Sequence, residues 1–331
     1  MGGTRSRAPW AEASTALRQA AEVATKAPSI LNTQPWRWVV RGEQLELDAD
    51  RTRQIHSIDP EGRLLTLCCG AALHHARLAL RARGWEPEVE RLPDPARPDV
   101  LARVAAHQER AATSSELRLA GGIGHRHSDR RTVVAAAPVG SNRLDALRAA
   151  AAREGVGLHK LTHAQRDVLM VAAKQAQQVQ AADEAYQRDL IAWTDERARG
   201  EGVPRETMVS DDVRPPGLRD FARGGETGVY SEGGEDAMAD FLVLYTRDDT
   251  PTDWLRAGEA MSAVWLTGTI DSVAVSVLSD VVEVASSRTL VQRLLPEHGF
   301  PQIVLRIGID AQPTPPPASP RRRPDTVIDA D

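Results

Sequence analysis

Ala27-Pro28-Ser29-Ile30-Leu31-Asn32-Thr33-Gln34-Pro35-Trp36-Arg37-Trp38 is the stretch on which the reading of this chain turns. Upstream of it, Ala16, Leu17, Ala20, Ala21 and Val23 recur at helical spacing and predict a helix over Glu12–Lys26. Downstream, Trp36–Val40 and Leu45–Asp50 read as strands, and the Arg41-Gly42-Glu43-Gln44 turn closes them into a hairpin. Prolines 28 and 35 each remove an amide donor and restrict the residue before them, so the segment between is a loop. Ser29, Asn32, Thr33 and Gln34 fill that loop with hydrogen-bonding groups. A polar loop fixed between two rigid elements can hold a polar heterocycle, or it can be no more than an elaborate helix stop.

Bulk properties narrow the classes. A chain of 331 residues with 41% hydrophobic and 26% charged residues fits a globular protein of one large domain or two ordinary ones. The net charge of -5 argues against a nucleic-acid partner, since no basic face dominates apart from one short C-terminal run. No apolar run reaches the length of a membrane span, and the first residues lack the apolar core of a signal sequence. Cys68 and Cys69 are the only cysteines and are adjacent, which leaves no ordinary structural bridge and points to a reducing, cytoplasmic compartment. Their neighbours Leu64, Leu65, Leu67 and Leu73 make them packing residues of an apolar helix rather than metal ligands.

Along the rest of the chain, Leu64–Arg83 reads as a long helix stopped by Gly84, Glu86–Leu92 as a strand, and Asp94–Asp99 as a linker. One α+β unit is expected over residues 1–120, and Gly121-Gly122-Ile123-Gly124 opens a second over 121–331. In the second unit the pattern gives a helix (Ser141–Arg153), a strand (Gly157–Leu161) and one long helix from Ala164 to about Arg188. A strand (Asp240–Thr246), a helix (Asp253–Ile270) and strands at Ser272–Leu278 and Gln302–Ile309 complete it. Residues 196–237, rich in Gly, Glu, Arg and Asp, are either a disordered insertion or a lid. Pro313–Pro324 is too rich in proline for helix or sheet and should run extended over the surface.

The motif P-S-x-x-N-x-Q-P-W at a helix-to-strand junction resembles the flavin-ring loop of the nitroreductase family. Its longer form A-P-S-x-x-N-T-Q-P-W-R-W is similar to that of the actinobacterial Acg family of FMN-binding oxidoreductases. Further pieces follow in order: Asp59-Pro60-Glu61-Gly62-Arg63, Cys68-Cys69-Gly70-Ala71-Ala72-Leu73, Arg126-His127-Ser128-Asp129-Arg130-Arg131 and Asp253-Trp254-Leu255-Arg256-Ala257-Gly258. Phe300–Gly308 and Arg322-Arg323-Pro324 come last, so order and spacing carry the likeness along most of the chain.

The resemblance implies an α+β nitroreductase-like fold and FMN as cofactor. In homodimers of that family each flavin lies at the subunit interface, its ring against one chain and its phosphate held by an R-x-S-x-R motif of the other. Here the ring loop lies in the first half and Arg126-His127-Ser128-Asp129-Arg130 opens the second. The expectation is therefore a pseudo-dimer of two fused halves with one surviving site, in a monomer or a homodimer. Pro28, Ser29, Ile30, Asn32 and Gln34 would meet the ring, and Asn32 would bond its pyrimidine edge. Arg126, Ser128 and Arg130, closed by Arg322 and Arg323 of the tail, would hold the phosphate with forked, permanently charged donors. Ser276, Val277, Leu278 and Ser279 would face the N5 edge, and residues 196–237 would cover the flavin.

Such an enzyme would move hydride through N5 between NAD(P)H or an organic donor and a small organic substrate, with no obligatory catalytic side chain. The rival is a non-catalytic protein that binds or sequesters FMN under the insertion. Two departures bear on that choice. Leu31 stands where the Acg pattern has His, and Ser279-Asp280-Val281-Val282 replaces a Ser-Gln-Pro-Val run. An ionised Asp280 close to the ring would disfavour an anionic reduced flavin.

Other chemistry is set aside. His125 and His127 lack a third metal ligand nearby, and His74 and His75 point to different helix faces. The chain has no G-x-S-x-G elbow, no Walker loop and no full dinucleotide fingerprint. Trp36, Trp38 and Trp265 are assigned to the core, whereas Trp193 and Tyr186, just before the insertion, are exceptions to weigh.

Overall fold

The computed structural model describes residues 9–131, 138–194, 201–204, 207–209, 217, 219–221, 239–309, 315 and 317–330. Helix α1 (Pro9–Ala24) leads through a 3-10 turn at Ile30–Asn32 into the hairpin β1 (Trp36–Arg41) and β2 (Gln44–Ala49). Helix α2 (Arg63–Ala82), β3 (Trp85–Arg91), β4 (Val100–Glu109) and α3 (Ser114–Gly122) follow. The later part runs α4 (Ser141–Arg153), β5 (Gly157–Lys160), α5 (His163–Ala182), α6 (Glu184–Thr194), β6 (Asp240–Thr246) and α7 (Pro251–Ile270). It ends with β7 (Val273–Leu278), α8 (Asp280–Glu283), α9 (Ala285–Gln292), β8 (Phe300–Ile309) and β9 (Ile328–Ala330).

The architecture is mixed helix and sheet, with two sheets of order β3-β4-β2-β1-β9 and β5-β6-β8-β7. Counting each sheet's own four antiparallel strands in chain order, both run first, second, fourth, third. In both, a 20-residue helix joins the second strand to the third. Strand β9, from the end of the chain, adds in parallel to β1 of the first sheet, with Trp38 opposite Ile328.

Those two helices start at strong signals. Asp59 caps α2 by accepting from the amides of Leu64 (3.0 Å) and Leu65 (2.8 Å). Thr250 and Asp253 form a capping box for α7, with Pro251 in its first turn. The helices cross at Gly70 and Gly258, each the eighth residue of its helix. A methyl on Gly70 would overlap the carbonyl oxygen of Leu255, and one on Gly258 that of Leu67, so the backbones themselves touch. Trp36, Trp38, Leu73 and Trp265 are buried in the core around this crossing.

On one side of the crossing, four side chains from α2, β3, α7 and the end of α4 form an ion cluster. Arg91 grips Glu259 with two bonds (2.8 and 2.9 Å), while Arg77 reaches Glu259 (2.6 Å) and Glu154 (2.7 Å). Glu259 is fully buried. Burial works against the Arg77 charge, but Glu259 and Glu154 more than reverse it and raise its pKa.

Most expected elements are present with ends shifted by a few residues. Three differences have physical causes. The helix expected from Ala164 to about Arg188 is two helices, because Asp183 takes extended backbone and its carboxylate caps the amides of Ala185 and Tyr186. Strand β4 and helix α3 fall in a stretch the pattern left unassigned, although Thr113 and Glu116 form a capping box there. The tail is not wholly superficial: Ser319, Pro320, Arg321 and Arg322 are half-buried, and β9 follows them into the sheet.

Two substitutions probe this frame. Gly70→Ala should lower stability by about 1–3 kcal/mol or more, since neither backbone can yield without shifting a helix. Glu259→Gln should cost about 3–5 kcal/mol, because Arg91 loses the carboxylate that it grips and Arg77 keeps only Glu154. Urea unfolding followed by circular dichroism measures both.

Candidate functional site

The loop after α1 is held in an unusual conformation. Leu31 (φ 45°), Asn32 (φ 56°) and Gln34 (φ 50°) all occupy the left-handed region. Each such residue costs about 1–3 kcal/mol and persists only where its surroundings impose it. The two cysteines of α2 supply part of that restraint. Cys68 Sγ accepts from the Ile30 amide (3.2 Å), and the Cys69 thiol donates to the Pro35 carbonyl (3.2 Å). Ser29 Oγ accepts from the Gln34 amide (2.9 Å) and closes the loop on itself. Burial pushes the Cys68 thiol up to about 12 and the Cys69 thiol well up too, so both stay protonated.

This loop forms one wall of a cavity of about 660 Å³. Pro28, Ser29, Leu31 and Asn32 face Arg126, Ser128 and Arg130 across it, with Val273, Ala274 and Val275 of β7 at one side. A smaller apolar cavity of about 90 Å³ shares Pro28, Ser29, Ser128, Arg130 and Trp265 and continues to Ile30, Leu64, Val277, Ser279 and Phe221.

The charge of the larger cavity is one-sided. Lys26, Arg126, Arg130 and Arg321 line it, and among the described residues no Asp or Glu does. Arg126 and Arg321 both donate to the Lys26 carbonyl (3.5 and 3.3 Å). Arg126 also lies over the Trp265 ring at 4.7 Å, and its Nε has no partner among the described residues. Arg130 lies over Phe221 at 4.7 Å and donates to Thr207 (3.2 Å to its carbonyl). Burial, and then the neighbouring Arg321, push the Arg126 pKa down to about 9. Burial and Arg219 bring Arg130 down to about 10, and burial alone does so for Arg321. Downward shifts in arginines mark a pocket short of negative charge, the reverse of the Arg77 cluster.

The ring-loop residues and the arginine motif therefore meet, as do the ends of β7. Val275 accepts the Asp129 amide through its carbonyl (3.1 Å), away from β8. By the alternation of an antiparallel strand, Val277 also turns its amide away from β8, towards the smaller cavity that it lines. Ser279 lines that cavity as well, while Ser276 and Leu278 are buried and line neither. The Ser276 hydroxyl has no partner among the described residues.

Other residues are placed differently from expectation. Asn32 already has its amide committed: it donates to the carbonyls of Gly202 (3.0 Å) and Pro320 (2.9 Å) and accepts from Arg321 (3.1 Å). Gln34 is fully buried behind the loop, bound to the Arg322 amide (2.8 Å). Arg322 turns to the Gln34 carbonyl and Asp50, and Arg323 is 80% exposed beside Asp325. The tail arginine at the cavity is Arg321. Trp193 and Tyr186 are buried and line neither cavity; the Trp193 carbonyl holds the Val203 amide (2.9 Å).

Comparison with known proteins names the group. No family model matches the chain. The Mycobacterium tuberculosis protein named "Putative NAD(P)H nitroreductase Rv3131" is 37% identical over 318 residues, covering 95% of this chain and 91% of the relative. This chain belongs to the nitroreductase family. A second relative from that organism, "Putative NAD(P)H nitroreductase acg", is 33% identical over 316 residues, 94% of this chain and 95% of its own length. "Uncharacterized protein Rv3127" is 32% identical over 320 residues, 94% and 92%. The chain is thus an oxidoreductase of nitroreductase type, a family whose name implies a flavin.

Sequence reasoning missed several residues of this nitroreductase's cavity. Three consecutive arginines at 321–323 gave no sign of which one faces the loop. Lys26 read only as a helix end, and Gly202, Thr207, Arg219 and Phe221 lay in the insertion where no pattern assigns positions. Among the described residues no helix is long and apolar enough to cross a membrane, and no three His, Cys, Asp or Glu gather to hold a metal.

Asn32 ties three remote segments together, so Asn32→Ala should lower stability by about 1–3 kcal/mol. Hydrogen exchange should then quicken at the Val203 amide, a change that mass spectrometry on the two proteins can detect.

Proposed function

We propose that this chain is an FMN-dependent oxidoreductase that passes hydride through flavin N5, from NAD(P)H or an organic donor to a small organic substrate. One observation carries the reading: a cavity bounded by the polar loop and the arginine motif whose described lining is cationic without a single acid. A phosphate monoester brings about -1.5 to -2 charges, which answers the deficit. Permanently charged forked donors are suited to that group.

Arg126 and Arg321, converging on the Lys26 carbonyl, are the best-placed phosphate ligands, with Ser128 between Arg126 and Arg130. Arg130, at the junction of the two cavities, lies closer to the ring end. Pro28, Ser29 and Ile30 would form one wall for the ring, and the Val277 amide and Ser279 its redox edge. FMN when bound supplies a reversible hydride acceptor. The protein orients it, and Trp265, Val203 and Phe221 keep water from it.

The shared strand order of the two sheets supports a pseudo-dimer of fused halves, with β9 as the segment that reaches back to the other half. The fifteenth residue of α7 is Trp265, which lines the cavity, and the fifteenth of α2 is Arg77, which belongs to the buried ion cluster. On this reading the twin site is filled by ion pairs and one flavin site remains.

A second reading, a protein that only binds or sequesters FMN, is favoured by one feature. Described residues of the insertion take up the hydrogen bonds of Asn32 and Arg130 (Gly202 and Thr207). Mixing the flavin-loaded protein with NADH or NADPH in a stopped-flow instrument separates the two. Rapid bleaching supports the enzyme; an inert flavin supports the binder.

Arg126→Ala removes charge-assisted bonds worth about 1.5–3 kcal/mol and should weaken FMN about ten- to a hundredfold by fluorescence titration. Arg323→Ala, in solvent, should leave affinity unchanged. If Arg126→Ala binds as tightly as wild type, the phosphate assignment is wrong. A strictly monomeric sample should hold one FMN per chain.

A further inference from the structure

The insertion sends one more charged group to the site. Arg219 is only 6% exposed and lines the smaller cavity beside Ser279 and Val277. Its Nη2 donates to Ser279 Oγ (3.3 Å) and pairs with Glu283, and Asp280 lies 4.0 Å away. Its Nη1 is buried and has no hydrogen-bond partner among the described residues. The rings of Tyr186 and Phe221 lie near the guanidinium (5.7 and 5.9 Å).

Such a group is directional. Glu283 and Ser279 take Nη2, and Nη1 is left without a described partner in a residue that lines a mostly apolar cavity. Burial opposes the charge, but Glu283, Tyr186 and Asp280 outweigh it, so Arg219 stays protonated. Burial raises the Asp280 pKa, and the neighbouring Arg219 opposes that shift. A buried donor without a partner costs about 1–3 kcal/mol, which an acceptor atom of a ligand in the adjoining cavity would offset.

We infer that Arg219 serves the redox edge of the flavin: its free Nη1 donates to the ring carbonyl oxygen next to N5 and raises the reduction potential. This rests on the FMN reading above. That oxygen gains electron density on reduction, so a fixed cation there favours the reduced form more than the oxidised one. The inference also changes the meaning of Asp280. Alone near the ring it would disfavour a reduced anion; here it is a counter-ion that fixes a cation nearer the site.

The test uses the full chain loaded with FMN. Arg219→Met should reduce the preference for reduced over oxidised FMN about tenfold, which lowers the midpoint by about 30 mV. The affinity for oxidised FMN should change less than that. Because this variant leaves two buried acids without a counter-charge, R219M/D280N/E283Q is measured beside it and should show the same lowering. Asp280→Asn alone, which keeps the cation, should leave the midpoint unchanged or raise it. FMN bound with an unaltered midpoint in the triple variant overturns the role of Arg219 while leaving the cofactor reading intact. Wild-type protein that takes up no FMN overturns both.

Discussion

The direct contact of α2 and α7 backbones at Gly70 and Gly258 sets the geometry of everything around it. Helices usually keep a side chain's thickness between their axes. Removing that thickness draws the two sheets towards one another, and with them the elements that each helix supports. Cys68 and Cys69 of α2 lie beside the crossing and hold Ile30 and Pro35, so the strained loop is registered to it. Trp265 of α7 lies two turns further on and sets the position of Arg126. A loop from one part of the chain and a motif a hundred residues later thus share one cavity.

Half-buried arginines are handled in two opposite ways on this frame. Arg77 and Arg91 meet Glu154 and Glu259 in a closed set of charge-assisted bonds. Arg126, Arg130 and Arg321 hydrogen-bond carbonyls and hydroxyls and lie over aromatic faces, with no carboxylate bonded to them among the described residues. Desolvating a guanidinium is expensive, and neutral acceptors offset that only in part. The first arrangement is complete as it stands and the second calls for an anion. This contrast arises inside a protein with a net charge of -5, so local placement rather than overall charge defines the site.

The insertion is tied to the same groups. Glu201 pairs with Arg53, Gly202 accepts from Asn32, Thr207 accepts from Arg130, and Arg219 pairs with Glu283. Gly202 has φ 85° and packs against the Trp193 carbonyl, an approach that excludes a side chain. These bonds join the insertion to both parts of the chain.

Local pattern was enough for much of this. Pro28 and Pro35 fix the loop and the apolar spacing fixes α1 and α2, because each of these depends on near neighbours in the chain; the loop and arginine motifs, each a short local pattern, mark the family by their order. The failures were also specific. Asp183 broke a helix through a side-chain cap, β4 was obscured by three alanines of low strand propensity, and β9 is too short to signal itself. Which arginine of 321–323 faces the cavity, the commitment of the Asn32 amide to Gly202 and Pro320, and the pairing of Asp280 with Arg219 belong to the tertiary structure alone. Each depends on the direction of a side chain relative to a segment far away in sequence, and that direction is set only once the helices have crossed and the tail has joined the sheet.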